Sequence, residues 1–146
     1  MASQSDTGDD RGAGLQGKLQ CQVVTPEKTL FDKTVDFIAL PLLDGELGVL
    51  PGRTPLVGRL GYGELRTRMN ETVERYFLDG GFAQIRDNVV TILTSRALPA
   101  NQIDSNATAE ALEKAEQQTA VSEAAVAEKT RAVARLRAML RVSGRR

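Results

Sequence analysis

Any chemistry in this 146-residue chain has to be done without histidine, which is absent, and with one cysteine, Cys21. Without imidazole there is no Ser-His or Cys-His nucleophile pair, no His-ligated zinc and no ordinary general base near neutral pH. One thiol makes neither an intramolecular disulfide nor a Cys cluster for zinc or iron–sulfur. Carboxylates remain. Asp44 with Glu46, and Glu71 with Glu74, stand in or beside turn signals, where they read as solvated rather than as acid/base pairs. Gly12-x4-Gly17-Lys18 imitates a phosphate-binding loop, but Leu19 stands where a Ser or Thr must hold magnesium. A strand pattern, not a helix, follows it. Gly61-Tyr62-Gly63 lacks the rest of a dinucleotide fingerprint. The expectation is a non-catalytic chain that needs no metal and no cofactor.

The elements that would position a binding site fall into two stretches of different grammar. All five prolines, all six aromatics and twelve of thirteen glycines lie before residue 106. Asn106–Val142 has 37 residues without Gly or Pro, and eleven of them are Ala, a strong helix former. The expected organisation is an acidic, disordered leader over 1–15, a β-sandwich over 16–98, a linker over 99–105 and a helical part over 106–146. Lys+Arg 19 and Asp+Glu 19 cancel, so no global basic field points to nucleic acid. The cancellation is uneven: residues 1–105 carry 11 basic and 14 acidic side chains, and 106–146 carry 8 and 5. No apolar run approaches the roughly 18 residues that would span a bilayer.

In the first stretch Leu19, Cys21 and Val23 alternate with polar neighbours, the period of a half-buried strand. Thr34–Leu43 is apolar on both faces and reads as one covered strand, with Phe37 in the core. Leu56–Leu60 reads as a short strand ended by Gly61-Tyr62-Gly63. Glu64–Met69 with Thr72–Leu78 reads as one hairpin, and Phe82–Ile85 with Val89–Thr94 as another. Short strands at this spacing with no helix between them indicate an antiparallel sandwich or barrel. In the second stretch Asp104 or Ser105 can cap a first helix, and Thr119–Ser122 is a break. A second helix runs from Glu123 to Val142. At roughly 100° per residue it places Val126, Val133, Leu136, Met139 and Leu140 on one side, and Arg131, Arg135, Arg137, Arg141 and Arg145 on the remaining arc. Several of these arginines are like-charged i,i+4 pairs, which cost an isolated helix a few tenths of a kcal/mol and favour an anionic partner.

Gly45–Leu56, GELGVLPGRTPL, reads as an irregular loop too apolar to be simply solvated. Either it tucks under the sandwich or it offers a rigid apolar edge to a partner. With Val24-Thr25-Pro26-Glu27, Leu30-Phe31, Gly63-Glu64-Leu65, Gly80-Gly81-Phe82, Asn88–Leu93 and Ile103-Asp104, this stretch resembles the epsilon subunit of the bacterial and chloroplast F-type ATP synthase, the homologue of the mitochondrial delta subunit. Arg53 departs from the family's usual His.

The resemblance implies an antiparallel β-sandwich followed by a two-helix hairpin, and a non-catalytic place in the rotating central stalk of a proton-translocating enzyme. The implied partners are the gamma subunit, the c-subunit ring and the alpha/beta catalytic hexamer, with no nucleic acid. Glu46, Leu47, Gly48, Val49, Leu50, Pro51 and Arg53 would meet gamma or the c-ring. Arg131, Arg135, Arg137 and Arg141 would contact the hexamer and brake ATP hydrolysis. Some bacterial members bind ATP through a motif that begins Ile-Asp and continues Arg-Ala. Ile103 and Asp104 match it, but Ala107-Thr108 stand at the Arg-Ala positions, so nucleotide binding is expected to be weak. The implied location is peripheral, on the cytoplasmic side of the bacterial inner membrane. The competing reading of the residues alone is a free-standing β adaptor whose basic helical tail binds anionic membrane or RNA.

Overall fold

The computed structural model describes residues 17–144. The leader expected over 1–15 and Arg145 lie outside the described residues. Eight strands are followed by a short 3₁₀ turn and two helices: β1 (Leu19–Val24), β2 (Thr29–Val35), β3 (Phe37–Leu42), β4 (Gly45–Val49), β5 (Leu56–Met69), β6 (Thr72–Arg86), β7 (Val89–Leu93), β8 (Ala97–Pro99), α1 (Ser105–Gln117) and α2 (Glu123–Gly144). The strand order is β2-β1-β7-β6-β5-β3-β4, with β8 paired to β6. All pairs are antiparallel except β1 with β7. Leu19, Cys21 and Val23 of β1 share one buried cluster with Ile38 and Leu40 of β3, although β7, β6 and β5 separate the two strands in the order. The sheet therefore doubles back on itself around a common core.

The alternation in β1 is realised residue by residue, with Leu19, Cys21 and Val23 fully buried. Burial pushes the Cys21 thiol up to about 12, so it is an inert core side chain. Three expected boundaries move. Thr34–Leu43 is two strands, broken at Asp36, because that residue staples the far end of the β5–β6 hairpin. Its carboxylate accepts from the Lys18 ammonium and from the Asn70 amide (2.6 Å), while its own amide donates to the Arg68 carbonyl (2.7 Å). Leu56–Leu60 does not end at Gly61-Tyr62-Gly63 but continues to Met69, and its partner runs unbroken from Thr72 to Arg86. Glycine here bends a strand instead of ending it. At Gly81 (φ +115°) a Cβ would lie 1.9 Å from the Leu93 carbonyl oxygen, so only glycine lets β6 pass β7 this closely. Asp87 (φ 52°) and Asn88 (φ 64°) make the two-residue β6–β7 turn, the left-handed pair a tight hairpin favours.

The third correction is that the first residues of GELGVLPGRTPL form strand β4, paired with β3 from Ile38↔Val49 to Leu42↔Gly45. Phe37, expected in the core, is only half-buried. It lies over Gly48, with the Arg68 guanidinium 5.2 Å from its ring centre. The fully buried phenylalanine is Phe77.

Asp36 gives the fold a pH dependence. The Lys18 hydrogen bond, then the Asn70 amide, hold its carboxyl below the usual carboxylate range. Its stabilising contribution is therefore complete above the unfolded-state pKa of about 4. That contribution is lost as pH falls through the lower folded-state value. Asp36→Asn is expected to lower the unfolding midpoint at pH 7. It should also flatten the fall in midpoint on acidification below about pH 4, as followed by circular dichroism across a pH series.

Candidate functional site

Two surfaces and one docking interface are the functional candidates. The first surface is the outer face of the β1-β7-β6-β5 layer. Register pairs set Val24 beside Leu93, Leu93 beside Phe82, and Phe82 beside Arg59. Val57 adjoins them two residues before Arg59. Val57 is 69% exposed, and Phe82 and Leu93 are each 50% exposed. The Arg59 guanidinium lies 6.0 Å from the Phe82 ring centre. An open cleft of about 420 Å³, lined by Val24, Thr25, Pro26, Asp79, Gly81, Leu93, Thr94 and Ser95, adjoins the patch. Sequence reasoning missed this surface. The alternation that turns Leu56, Ala83 and Ile92 toward the core necessarily turns Val57, Phe82 and Leu93 outward, and that was the available signal.

The second surface is the β3–β4 hairpin with the turn after it. The structure splits the predicted interface residues there. Val49 is fully buried, so it belongs to the core and not to a contact surface. Leu47 is half-buried and packs on that core. Glu46, Gly48, Leu50 and Arg53 are exposed, Leu50 by 58%, and Pro51 is partly so. The Glu46 carboxylate pairs with Arg66 at 3.3 Å. The Gly52 amide donates to the Asn88 side chain at 2.7 Å, which ties this turn to the β6–β7 turn.

The docking interface joins the helices to the sheet. The Asp104 side chain caps α1 by accepting from the Ala107 amide (3.0 Å), and the Ser122 hydroxyl caps α2 by accepting from the Ala125 amide (3.0 Å). The Lys129 ammonium closes α1 on the Gln118 carbonyl (2.9 Å), and Arg137 pairs with Glu116 across the hairpin (2.9 Å). Among the described residues, the end of α2 is the part of the helices that packs on the sheet. Ala138, Met139 and Val142 are buried with Phe77 and Ala100, flanked by Tyr62, Leu98, Ile103 and Leu136. Val126, expected on the apolar side, is 48% exposed.

The four predicted arginines are not equivalent. Arg131 and Arg141 are exposed. Arg135 lies 3.8 Å from Asp79, with its Nε buried and without a hydrogen-bond partner among the described residues. Arg137 is already paired with Glu116. Ile103 and Asp104, predicted as nucleotide contacts, are occupied in packing against Phe77 and in capping α1.

The sequence pattern of the ATP synthase delta/epsilon chain β-sandwich domain matches residues 18–100. An ATP synthase epsilon chain from Rhodopirellula baltica is 47% identical over 125 residues, spanning 86% of this chain and 98% of that one. The chain belongs to the ATP synthase delta/epsilon chain family. Another epsilon chain, from Nitratidesulfovibrio vulgaris, is 36% identical over 73% of this chain and 79% of its own length. Among solved structures, a chain of the Euglena gracilis mitochondrial ATP synthase, from its OSCP/F1/c-ring assembly, superposes with a TM-score of 0.78. It has 27% identity and covers 84% of this chain and 79% of that one. A chain from the central stalk/c-ring of the Tetrahymena thermophila enzyme superposes at 0.65 with 17% identity and shows the shared fold alone. Epsilon chains are non-catalytic members of the synthase, so the chemistry of ATP does not have to be found in these residues. No helix among those described is long and apolar enough to cross a membrane.

For this member of the family, ATP is expected to bind poorly. Asp104 is committed to the cap and Ala107 offers no guanidinium. Isothermal titration of ATP into the isolated chain should give little or no heat. Saturable binding at micromolar ATP would show that another cation, such as Lys129 or Arg131, has replaced the missing one.

Proposed function

We propose that this chain is a rotor subunit of the central stalk of a proton-translocating F-type ATP synthase, seated between the gamma subunit and the c-ring, whose helices restrain ATP hydrolysis. The carrying observation is the exposed apolar row Val57, Phe82 and Leu93, gathered on one face of the sandwich by the pairing of β5, β6 and β7. A contiguous apolar patch on a small soluble domain marks a binding surface, and family membership makes gamma its partner. Glu46, Leu47, Gly48, Leu50, Pro51 and Arg53, on the hairpin and its turn, are assigned to the c-ring side. In this reading the chain sits peripherally, on the cytoplasmic side of a bacterial inner membrane.

The helices supply the restraint. Their attachment to the sheet is confined to the last turns of α2, and most of their apolar side chains are Ala. Burial at about 25 cal/mol per Å² over so small a face makes a contact that can be exchanged for another. Once α2 leaves the sheet Arg135 gives up Asp79, once it parts from α1 Arg137 gives up Glu116, and with Arg131 and Arg141 they become available to acidic side chains of the alpha/beta hexamer.

The test is reconstitution with gamma, the c-ring and the hexamer. The full chain should co-purify with them. A chain lacking residues 105–146 should assemble equally well and hydrolyse ATP several-fold faster, and Ala at the four arginines should reproduce most of that gain. Unchanged hydrolysis after the deletion, at low and high salt, would remove the brake from this reading. A chain that migrates alone and binds anionic vesicles or RNA would replace it with the adaptor.

A further inference from the structure

The end of α2 is held by more than its apolar cluster. Glu64 on β5 is a carboxylate only 5% exposed, pressed between two arginines. One of its oxygens accepts from Arg75 Nε at 2.6 Å and the other from Arg66 Nη1 at 3.2 Å. The Arg75 side chain is itself 19% exposed and reaches up from β6 to donate through Nη2 to the Val142 carbonyl at 2.5 Å. Carbonyls in the last turn of a helix have no intrahelical donor and lie at the negative end of the dipole, so a guanidinium there is well placed. Arg66 is meanwhile shared: the same Nη1 donates to Glu46 on the exposed hairpin at 3.3 Å. Arg141 lines the same small cleft between the hairpin and α2, with Glu46, Glu64 and Val142.

We propose that the chain Glu46–Arg66–Glu64–Arg75–Val142 C=O is a latch that couples occupancy of the β3–β4 hairpin to release of α2. Glu64 is its positioning residue. A carboxylate this buried needs its cations, and it aims the Arg75 fork at the helix end. One planar guanidinium serves both contacts, which a lysine cannot do in this geometry. Arg66 and Arg75 hold separate oxygens of Glu64 but share its single negative charge, so a tighter hold by one weakens the hold on the other, and Glu46 draws Arg66 away. A cationic group of a partner that captures Glu46 frees Arg66 to turn fully onto Glu64. That weakens the hold on Arg75, and the helix end loses its donor. Linkage makes the effect reciprocal: release of α2 changes the affinity of the hairpin for that partner by the same factor. The functional meaning rests on the reading of α2 as a releasable restraint, whereas the latch itself is a property of the isolated chain.

Hydrogen exchange on the full-length isolated chain tests it, comparing amides of 136–144 with the core amides of Val90 and Ile92. Glu64→Gln should accelerate exchange in 136–144 by roughly tenfold, the scale of a lost charge-assisted hydrogen bond, and leave Val90 and Ile92 unchanged. Arg75→Lys should do the same. Glu46→Gln, at a half-exposed side chain, should act in the same direction by about two- to threefold. Arg66→Gln should act oppositely and slow exchange, because Arg66 then no longer draws on the Glu64 charge that holds Arg75. Neighbouring substitutions of opposite sign are what competition demands and what general loosening of the sheet cannot produce. The latch is overturned if Glu64→Gln leaves 136–144 unchanged, if it accelerates the core amides equally, or if Arg66→Gln also accelerates the helix. A chain that failed to bind gamma would overturn the stalk reading without altering these rates.

Discussion

Phe82→Asp combined with Leu93→Asp is expected to abolish stable association with the gamma subunit while leaving the sandwich folded. Each side chain is half exposed in the free chain, so a carboxylate at either position stays in water until a partner covers it. On docking, the two charges must be desolvated, a cost that Arg59, lying against Phe82, offsets only in part. Two central contacts at about 2 kcal/mol or more each amount to roughly a thousandfold loss in affinity. Size-exclusion chromatography with purified gamma reads the loss directly, and thermal unfolding of the free variant reads its fold. Normal co-elution of the double variant would move the gamma contact off this face. Glu46, Leu50 and Arg53 on the hairpin would then be the next surface to examine.

Phe77→Ala is expected to destabilise the chain by about 3–5 kcal/mol, the usual cost of emptying a buried phenylalanine site. Phe77 is fully buried although it does not belong to the main sandwich cluster. It packs on Ala138, Met139 and Val142, so its removal takes away the platform on which α2 rests. Urea unfolding should show the lower midpoint, and limited proteolysis should cut within 119–144 well before the sandwich. Phe37→Ala should cost much less, because Phe37 is half-buried on Gly48 beneath Arg68. Equal costs at the two positions would mean that the helix contributes nothing to the burial of Phe77.

Several features were legible because one local rule was enough. The alternation of Leu19, Cys21 and Val23 specifies a half-buried strand wherever that strand pairs. Asp104 and the Ala-rich run behind it specify a capped helix, and the break at Thr119–Ser122 specifies two helices. Where two local rules competed, the reading went astray. Gly61, Gly63, Gly80 and Gly81 look like punctuation, yet the pairing of β5 with β6 carries through all of them. The sheet needs positions without side chains there in order to fold over. Gly45 and Gly48 hide a strand for two different reasons: Gly45 takes φ +135° beside the turn, and Phe37 occupies the space above Gly48.

The chain by itself determined the class of the molecule: strands first, two helices after, no equipment for catalysis, and a series of motifs, with GELGVLPGRTPL at their centre, that identifies the family. Those follow from residue types and near-neighbour spacing, which act along the sequence. Only the tertiary structure decided which apolar side chains are spent and which are left over. Alternation states that a strand has two different faces, but not what will cover the second one. Over Phe77 it is α2, and over Phe82 and Leu93 it is nothing within the described chain. The charges were decided in the same way. Glu64, Arg66 and Arg75 are unremarkable letters in two alternating strands. They become a linked set only because the β5–β6 pairing brings them together beneath the end of a helix that begins more than 45 residues later.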